Sequence, residues 1–257
     1  MFFFYNKKEK NKIKSKKKIC IINPNTSVKM TEVIESVAKN YVSSHFEVIA
    51  TNPEFGPESI EGYYDEAFCI PGIISEIKNN KNCDAYVIAC FDDTGLEASR
   101  SYTEKPVLGI GECSYHAANL LGGNFSVITT LSRSIPALKG NLKKYGIFDN
   151  CNLVTSVEIP VLDLEKNPKF TEKKLDNKIK EILSQTNSEI IVLGCAGMAE
   201  FANKMKTKYK IPVIEGVSVS IKFAEAFIDL GFMTSKKFGY EKPRSKEYSG
   251  IFKKFQP

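Results

Sequence analysis

Residues 189–200, EIIVLGCAGMAE, run a short apolar segment straight into a cysteine and then into a turn of small residues. Residues 85–98, AYVIACFDDTGLEA, repeat that order, and Cys195 follows Cys90 by 105 positions. The four consecutive apolar residues from Ile190 to Leu193 suit a strand covered on both faces. The echo extends further: residues 19–27 (ICIINPNTS) are matched by 125–134 (FSVITTLSRS), and 105–112 (KPVLGIGE) by 211–217 (IPVIEGV), with Pro106 and Pro212 106 positions apart. Self-similarity at one long offset predicts a duplicated α/β half, each copy carrying one cysteine at the same structural address.

In open parallel sheets, ligands bind beyond the carboxyl ends of the strands, where helix N-termini also converge. Gly194, Ala196 and Gly197 keep the backbone around Cys195 uncluttered. A helix beginning near Gly197 would bring its positive end to the thiol and favour the thiolate. The predicted architecture is two pseudo-symmetric Rossmann-like lobes with parallel sheets and an active site in the cleft between them. A disordered basic tail, 1–17, would precede a first lobe made of 18–112 plus 212–257 and a second made of 113–211.

The chain has 257 residues and is 42% hydrophobic, enough for a substantial core. Its net charge of +6 hints at a nucleic-acid partner, but residues 7–18, KKEKNKIKSKKK, supply much of it in one run. Like-charged blocks stay solvated and rarely fold, so neither nucleic acid nor membrane is expected as a partner. The apolar start, MFFFY, is too short for a secretory core, its charges follow rather than precede it, and no apolar run approaches roughly 18 residues. Seven cysteines, an odd count without a C-x-x-C pair, suit reduced thiols in a cytoplasm-like compartment. Cys20, Cys69, Cys83 and Cys151 lie in or beside apolar stretches and read as small core residues. Cys113 and His116 have a C-x-x-H spacing, but His45 is the only other histidine, so a metal site has little support.

Along the chain, residues 19–22 and 46–50 read as strands, and Ser27 caps a helix running to about 42. Residues 60–78 are mostly helical, with Pro71-Gly72 expected to kink or divide the helix. A helix over 112–121 puts Glu112 and His116 on one face, as a self-satisfied pair or as support for a site. Gly109 and Gly111 resemble the start of a dinucleotide loop, but Ser114 takes the place of the third glycine, and no G-x-x-x-x-G-K-[ST] occurs. Nicotinamide, flavin and ATP therefore lack support. Thr129, Thr130, Ser132 and Ser134 bring hydroxyls to a strand-to-helix turn that suits a carboxylate or carbonyl oxygen, or plain capping. Residues 150–157 and 159–162 read as strand-like, 171–184 as an amphipathic helix, and a last helix ends near 230.

Two thiols at equivalent points of facing halves suit a reaction that needs one group on each side of a planar intermediate. Racemisation is that reaction: a thiolate removes the proton next to a carbonyl, and the opposed thiol returns one to the other face. A free thiol titrates near about 8.5, so helix N-termini would have to lower at least one. Asp92 and Asp93 oppose that lowering if they point inward; they would face solvent or accept from substrate N–H groups.

NPNTS at 23–27, ACFDDTGL at 89–96, GIGE with a following His-Ala-Ala at 109–118, TTL at 129–131, LGCAGM at 193–198 and LGF-TSK at 230–236 together resemble the hydantoin racemase branch of the aspartate/glutamate racemase superfamily, which includes allantoin racemases. The resemblance implies a cofactor-independent isomerase with Cys90 and Cys195 as the acid/base pair, a small-molecule substrate and a homo-oligomer. It implies ligand contacts from Asn25, Thr129 and Thr130. Thr26, Phe91, Asp92, Gly194, Ala196 and Gly197, which flank these positions and the two cysteines, complete the candidate binding set. Thr94 stands where the branch usually has proline, which touches turn geometry rather than chemistry. Phe91 replaces the asparagine that follows the first cysteine in glutamate racemase, which disfavours a free amino acid. A hydantoin ring fits the physics, because its C5 hydrogen is next to a carbonyl and the ring imide delocalises the carbanion. The alternatives are a racemase of an acidic amino acid, a decarboxylase or cis-trans isomerase on the same scaffold, and a non-catalytic two-lobed binder.

Overall fold

A computed structural model describes residues 15–257, so all but the end of the expected tail lies outside the described residues. That end is ordered rather than loose: Lys17 and Lys18 open the first strand and pair with Phe46 and Glu47. The strands are β1 (Lys17–Ile22), β2 (Phe46–Thr51), β3 (Ala85–Ile88) and β4 (Val107–Gly109), then β5 (Phe125–Thr129), β6 (Cys151–Ser156), β7 (Ile190–Leu193) and β8 (Val213–Glu215). They form two parallel sheets of the same order, β2-β1-β3-β4 and β6-β5-β7-β8. Each crossover is helical, as parallel neighbours require.

Strand residues alternate between two cores, which is why the strands read as unbroken apolar runs. In β1, Ile19 and Ile21 face a core shared by both lobes, whereas Cys20 and Ile22 pack outward on Cys69, Ile73 and Ile77 of α2 (Tyr63–Asn79). In β7, Ile190 and Val192 join the shared core, and Ile191 and Leu193 meet Leu175, Ile179 and Ile182 of α6 (Pro168–Gln185). The two lobes are thus fused through one apolar interior.

The helices after the edge strands change sides. α4 (Ile110–Leu121) leaves β4 yet packs on β7 and β8, while α8 (Gly216–Asp229) leaves β8 and packs on β1 and β3. They cross where they begin: a Cβ on Gly216 would come within 2.6 Å of both Cβ and O of Ile110, its counterpart in the repeat. Only glycine permits that approach. The expected lobe boundary at 211/212 therefore moves, since Val213–Glu215 pairs with Ile191–Leu193 in the second sheet, and the first lobe regains the chain only at α8.

Both crossing helices start on a carboxylate, in keeping with the helix dipole. Glu215 accepts from the N–H groups of Val217 (2.7 Å) and Ser218 (2.9 Å). At α4 the equivalent strand-end position is Gly109, and Asp93 reaches in to accept from Gly111 (3.0 Å) and Glu112 (2.7 Å). A Cβ on Gly109 would sit 2.0 Å from Asp93 Oδ1, so the Gly109-Ile110-Gly111 pattern exists to admit a capping carboxylate, not a dinucleotide.

Two local expectations change. Pro71 lies inside α2 without dividing it, and Gly72 lets the helix press on Pro53, whose Cβ would be 2.8 Å from an added Cβ. Residues 159–162 are not a strand: Glu158 has φ of 53°, Pro160 lacks a donor, and the chain makes a single 3-10 turn at Val161–Asp163. Ser27 caps α1 (Val28–Tyr41), accepting from Met30 N, and Asn167 caps α6 by accepting from Phe170 N.

Candidate active site

The carboxyl ends of the four central strands, β1, β3, β5 and β7, meet at one cavity of about 40 Å³, and both Cys90 and Cys195 line it. From the first lobe, Asn25, Phe91 and Asp92 reach it, and from the second Thr129, Thr130, Gly194 and Ala196. Two expected residues do not. Thr26 faces away and pins the 52–62 loop, its N–H and hydroxyl donating to Pro57 O at 3.0 and 3.4 Å. Gly197 lies behind Cys195, where an added Cβ would meet Leu164 Cδ1 at 3.0 Å.

Gly197 acts on the site through its backbone, whose N–H lies near the Cys195 sulfur and works to lower that thiol. The N–H of Asp92 does the same for Cys90, again from two residues downstream. The Cys90 sulfur also lies 3.9 Å from the Thr94 hydroxyl. The expectation that helix N-termini lower a thiol does not hold. Burial pushes Cys195 up to about 12, and burial, with the Asp92 carboxyl, pushes Cys90 well above the usual thiol range. The segment after Cys195 is a 3-10 stretch, Ala196–Phe201, ahead of α7 (Ala202–Tyr209), so it offers single N–H groups rather than a full helix dipole.

Donors face the cavity from both lobes. Asn25 Oδ1 accepts from Ser27 N (2.9 Å) and Asn23 Nδ2 (2.8 Å), which turns its own Nδ2 toward Met30 Sδ (3.3 Å) and the cavity. The Thr129 hydroxyl donates to Gly194 O at 3.2 Å and ties β5 to the Cys195 turn. The hydroxyl and N–H of Thr130 have no protein partner among the described residues, while its carbonyl accepts from Ile159 N.

The two aspartates part company. Asp93 neither faces solvent nor meets the cavity: it is buried, takes a φ of 53°, caps α4 and accepts from Tyr145 OH at 2.8 Å. Asp92 lines the cavity beside Glu66 on α2; burial and that neighbour raise it well above the usual carboxylate range. The expected Glu112–His116 pairing is absent. Glu112 forms an ion pair with Arg100, and His116 is exposed while Cys113 is buried. No group of three metal-ligating side chains exists among the described residues.

Residues 19–224 match the family model described as Asp/Glu/Hydantoin racemase. The chain belongs to that family. Membership places it among the isomerases, and its racemase relatives match it along nearly their whole length. It is 43% identical over 240 residues to the hydantoin racemase of Pseudomonas sp. (strain NS671), covering 93% of this chain and 96% of that one. Among solved structures, the allantoin racemase from Klebsiella pneumoniae superposes with a TM-score of 0.91 at 36% identity, over 94% of this chain and 99% of that chain. The allantoin racemase from Pseudomonas fluorescens gives 0.88 at 30%, over 91% and 100%. The two-sheet arrangement is thus that of racemases in this family.

Sequence reasoning missed Asn23, Met30, Ile60 and Val161, which also line the cavity, whereas Ser134, expected at the strand-to-helix turn, does line it. Asn23 was available from the repeat, because Thr129 lies 106 positions on. Ile60 and Val161 carry no local signal. They are brought together across the lobes by Glu61, which accepts from Val161 N at 2.8 Å. No helix among the described residues is long and apolar enough to cross a membrane.

Proposed function

We propose that this chain racemises 5-substituted hydantoins or allantoin by proton transfer at C5 between Cys90 and Cys195, without a cofactor. The observation that carries the reading is that the two equivalent thiols of the repeat line one small cavity. In one direction a cysteine thiolate takes the C5 proton, and the electron pair moves onto the adjacent carbonyl oxygen. Asn25 Nδ2 and the free Thr130 donors are placed to stabilise that oxygen. The opposite thiol then protonates the other face of C5, and the carbonyl reforms. The N–H groups of Asp92 and Gly197 stabilise whichever sulfur carries the charge.

Incubating one pure enantiomer with enzyme in D2O tests this. Optical rotation should decay with deuterium entering at C5; the absence of exchange across a set of hydantoins and allantoin would overturn the reading. A homo-oligomer belongs to the same reading, supported by Leu120 and Leu121, both exposed at the end of α4. Light scattering should give a multiple of the chain mass, reduced in a Leu120→Glu, Leu121→Glu double variant.

A further inference from the structure

The cavity wall beside Cys90 carries acid and no base. Asp92 lines it, with Glu66 of α2 beside its carboxyl. Glu66 does not itself line the cavity, and its Oε1 is buried with no hydrogen-bond partner among the described residues, so the pair has no protein donor to spare for Asp92. Asp92, Glu61 and Glu165 all raise Cys195, and no lysine, arginine or histidine lines the cavity. An accepting carboxyl in such a wall is costly without a donor, and a ligand N–H would supply one to Asp92.

We propose that Asp92, held by Glu66, is a specificity-determining residue that accepts hydrogen bonds from an N–H-bearing or cationic substituent on the substrate ring and turns away a carboxylate. This rests on the racemase reading and narrows it. Asn25 and Thr130 supply donors for the ring carbonyls, so the remaining polar demand of the site is for donors on the ligand. Burial raises both Asp92 and Glu66, so negative charge on the pair is held at a cost that a donor relieves and a second carboxylate adds to. A ureido or aminoalkyl arm meets that charge with N–H groups, an alkyl arm offers Asp92 no donor, and a carboxyalkyl arm sets like charge against it. The same charge argues against aspartate or glutamate as substrate.

The test compares kcat/KM for hydantoins bearing ureido, aminoalkyl, alkyl and carboxyalkyl arms of similar size at C5. Wild-type enzyme should favour the two N–H-bearing arms over alkyl by about 10- to 100-fold, the factor expected for hydrogen bonds to a charged acceptor, with carboxyalkyl slowest. Asp92→Asn should shrink the aminoalkyl-to-alkyl ratio to within a few-fold and improve the carboxyalkyl substrate relative to alkyl. Glu66→Gln, which leaves Asp92 as the only acid of the pair and takes away the neighbour that raises it, should move the preference further toward aminoalkyl. A flat wild-type series, an Asp92→Asn variant that slows every substrate by one common factor, or an unchanged ratio in Glu66→Gln would overturn the assignment. Racemisation of the alkyl substrate with a flat series refutes the specificity alone, whereas no racemisation of any arm refutes the function beneath it. Should Asp92→Asn not fold, the wild-type series and Glu66→Gln still decide.

Discussion

Cys90 and Cys195 sit at the same address in two copies of one design, and what surrounds them differs. Both follow a central strand, and each is lowered by the backbone N–H two residues downstream. Around Cys90 stand the Asp92–Glu66 pair and the Thr94 hydroxyl; around Cys195 the turn is Gly, Ala and Gly. Duplication fixed where the thiols are, and divergence made them unequal. Burial raises both thiols and the Asp92 carboxyl weighs on each, while only Cys90 has a hydroxyl beside its sulfur.

The strongest way to break the comparison is to remove one thiol. Cys90→Ala and Cys195→Ala should each lower racemisation by about 10²- to 10⁴-fold, the usual worth of a positioned acid or base, measured by polarimetry. Next comes pH. Both thiols are raised by burial, so the thiolate fraction of the free enzyme is small near neutrality and grows tenfold per pH unit below about 12. The kcat/KM should therefore climb about tenfold per unit between roughly pH 6 and 9, and a plateau near 7 would show a thiol that is already ionised. Asp92→Asn, by removing negative charge beside Cys90, should displace that curve toward lower pH.

The capping carboxylates sharpen the contrast in stability. Asp93 accepts three hydrogen bonds and ties the Cys90 turn to α4 and Tyr145, whereas Glu215 accepts two within its own helix start. Asp93→Ala should cost about 2–4 kcal/mol and reduce activity as well, and Glu215→Ala about 1–3 kcal/mol with the site intact, by urea unfolding and assay of the folded fraction. The smallest effect concerns α5 (Ile135–Lys144), where exposed Gly140 has nothing within 4 Å of an added Cβ. Gly140→Ala should raise stability by about 0.5–1 kcal/mol with unchanged turnover.

These contrasts also mark what the sequence made legible. The strands, the cap at Ser27 and the two cysteines were readable because each is a local signal, repeated. The exchange of α4 and α8 was not, since it depends on the meeting of Ile110 and Gly216, far apart in sequence. Nor was the role of Asp93, whose partners are 18, 19 and 52 positions away and whose φ of 53° no pattern announces. The lowered thiol failed for a different reason: the helix-terminus argument is sound for an exposed sulfur, but burial here outweighs the single N–H each thiol receives. The short turn at Val161–Asp163 has the apolar content of a strand, yet Val161 lines the cavity and Leu162 packs on the shared core, so they serve the site and the interior rather than a ladder.

The claim that one sulfur serves each face of the ring is tested most directly by hydrogen exchange in the single-cysteine variants. Each pure enantiomer is incubated in D2O with Cys90→Ala or Cys195→Ala, and C5 deuterium is followed by NMR. Each variant should exchange C5–H of one enantiomer only, with retention, and the two variants should choose opposite enantiomers. Exchange of the same enantiomer by both variants, or undiminished inversion in either, would contradict it.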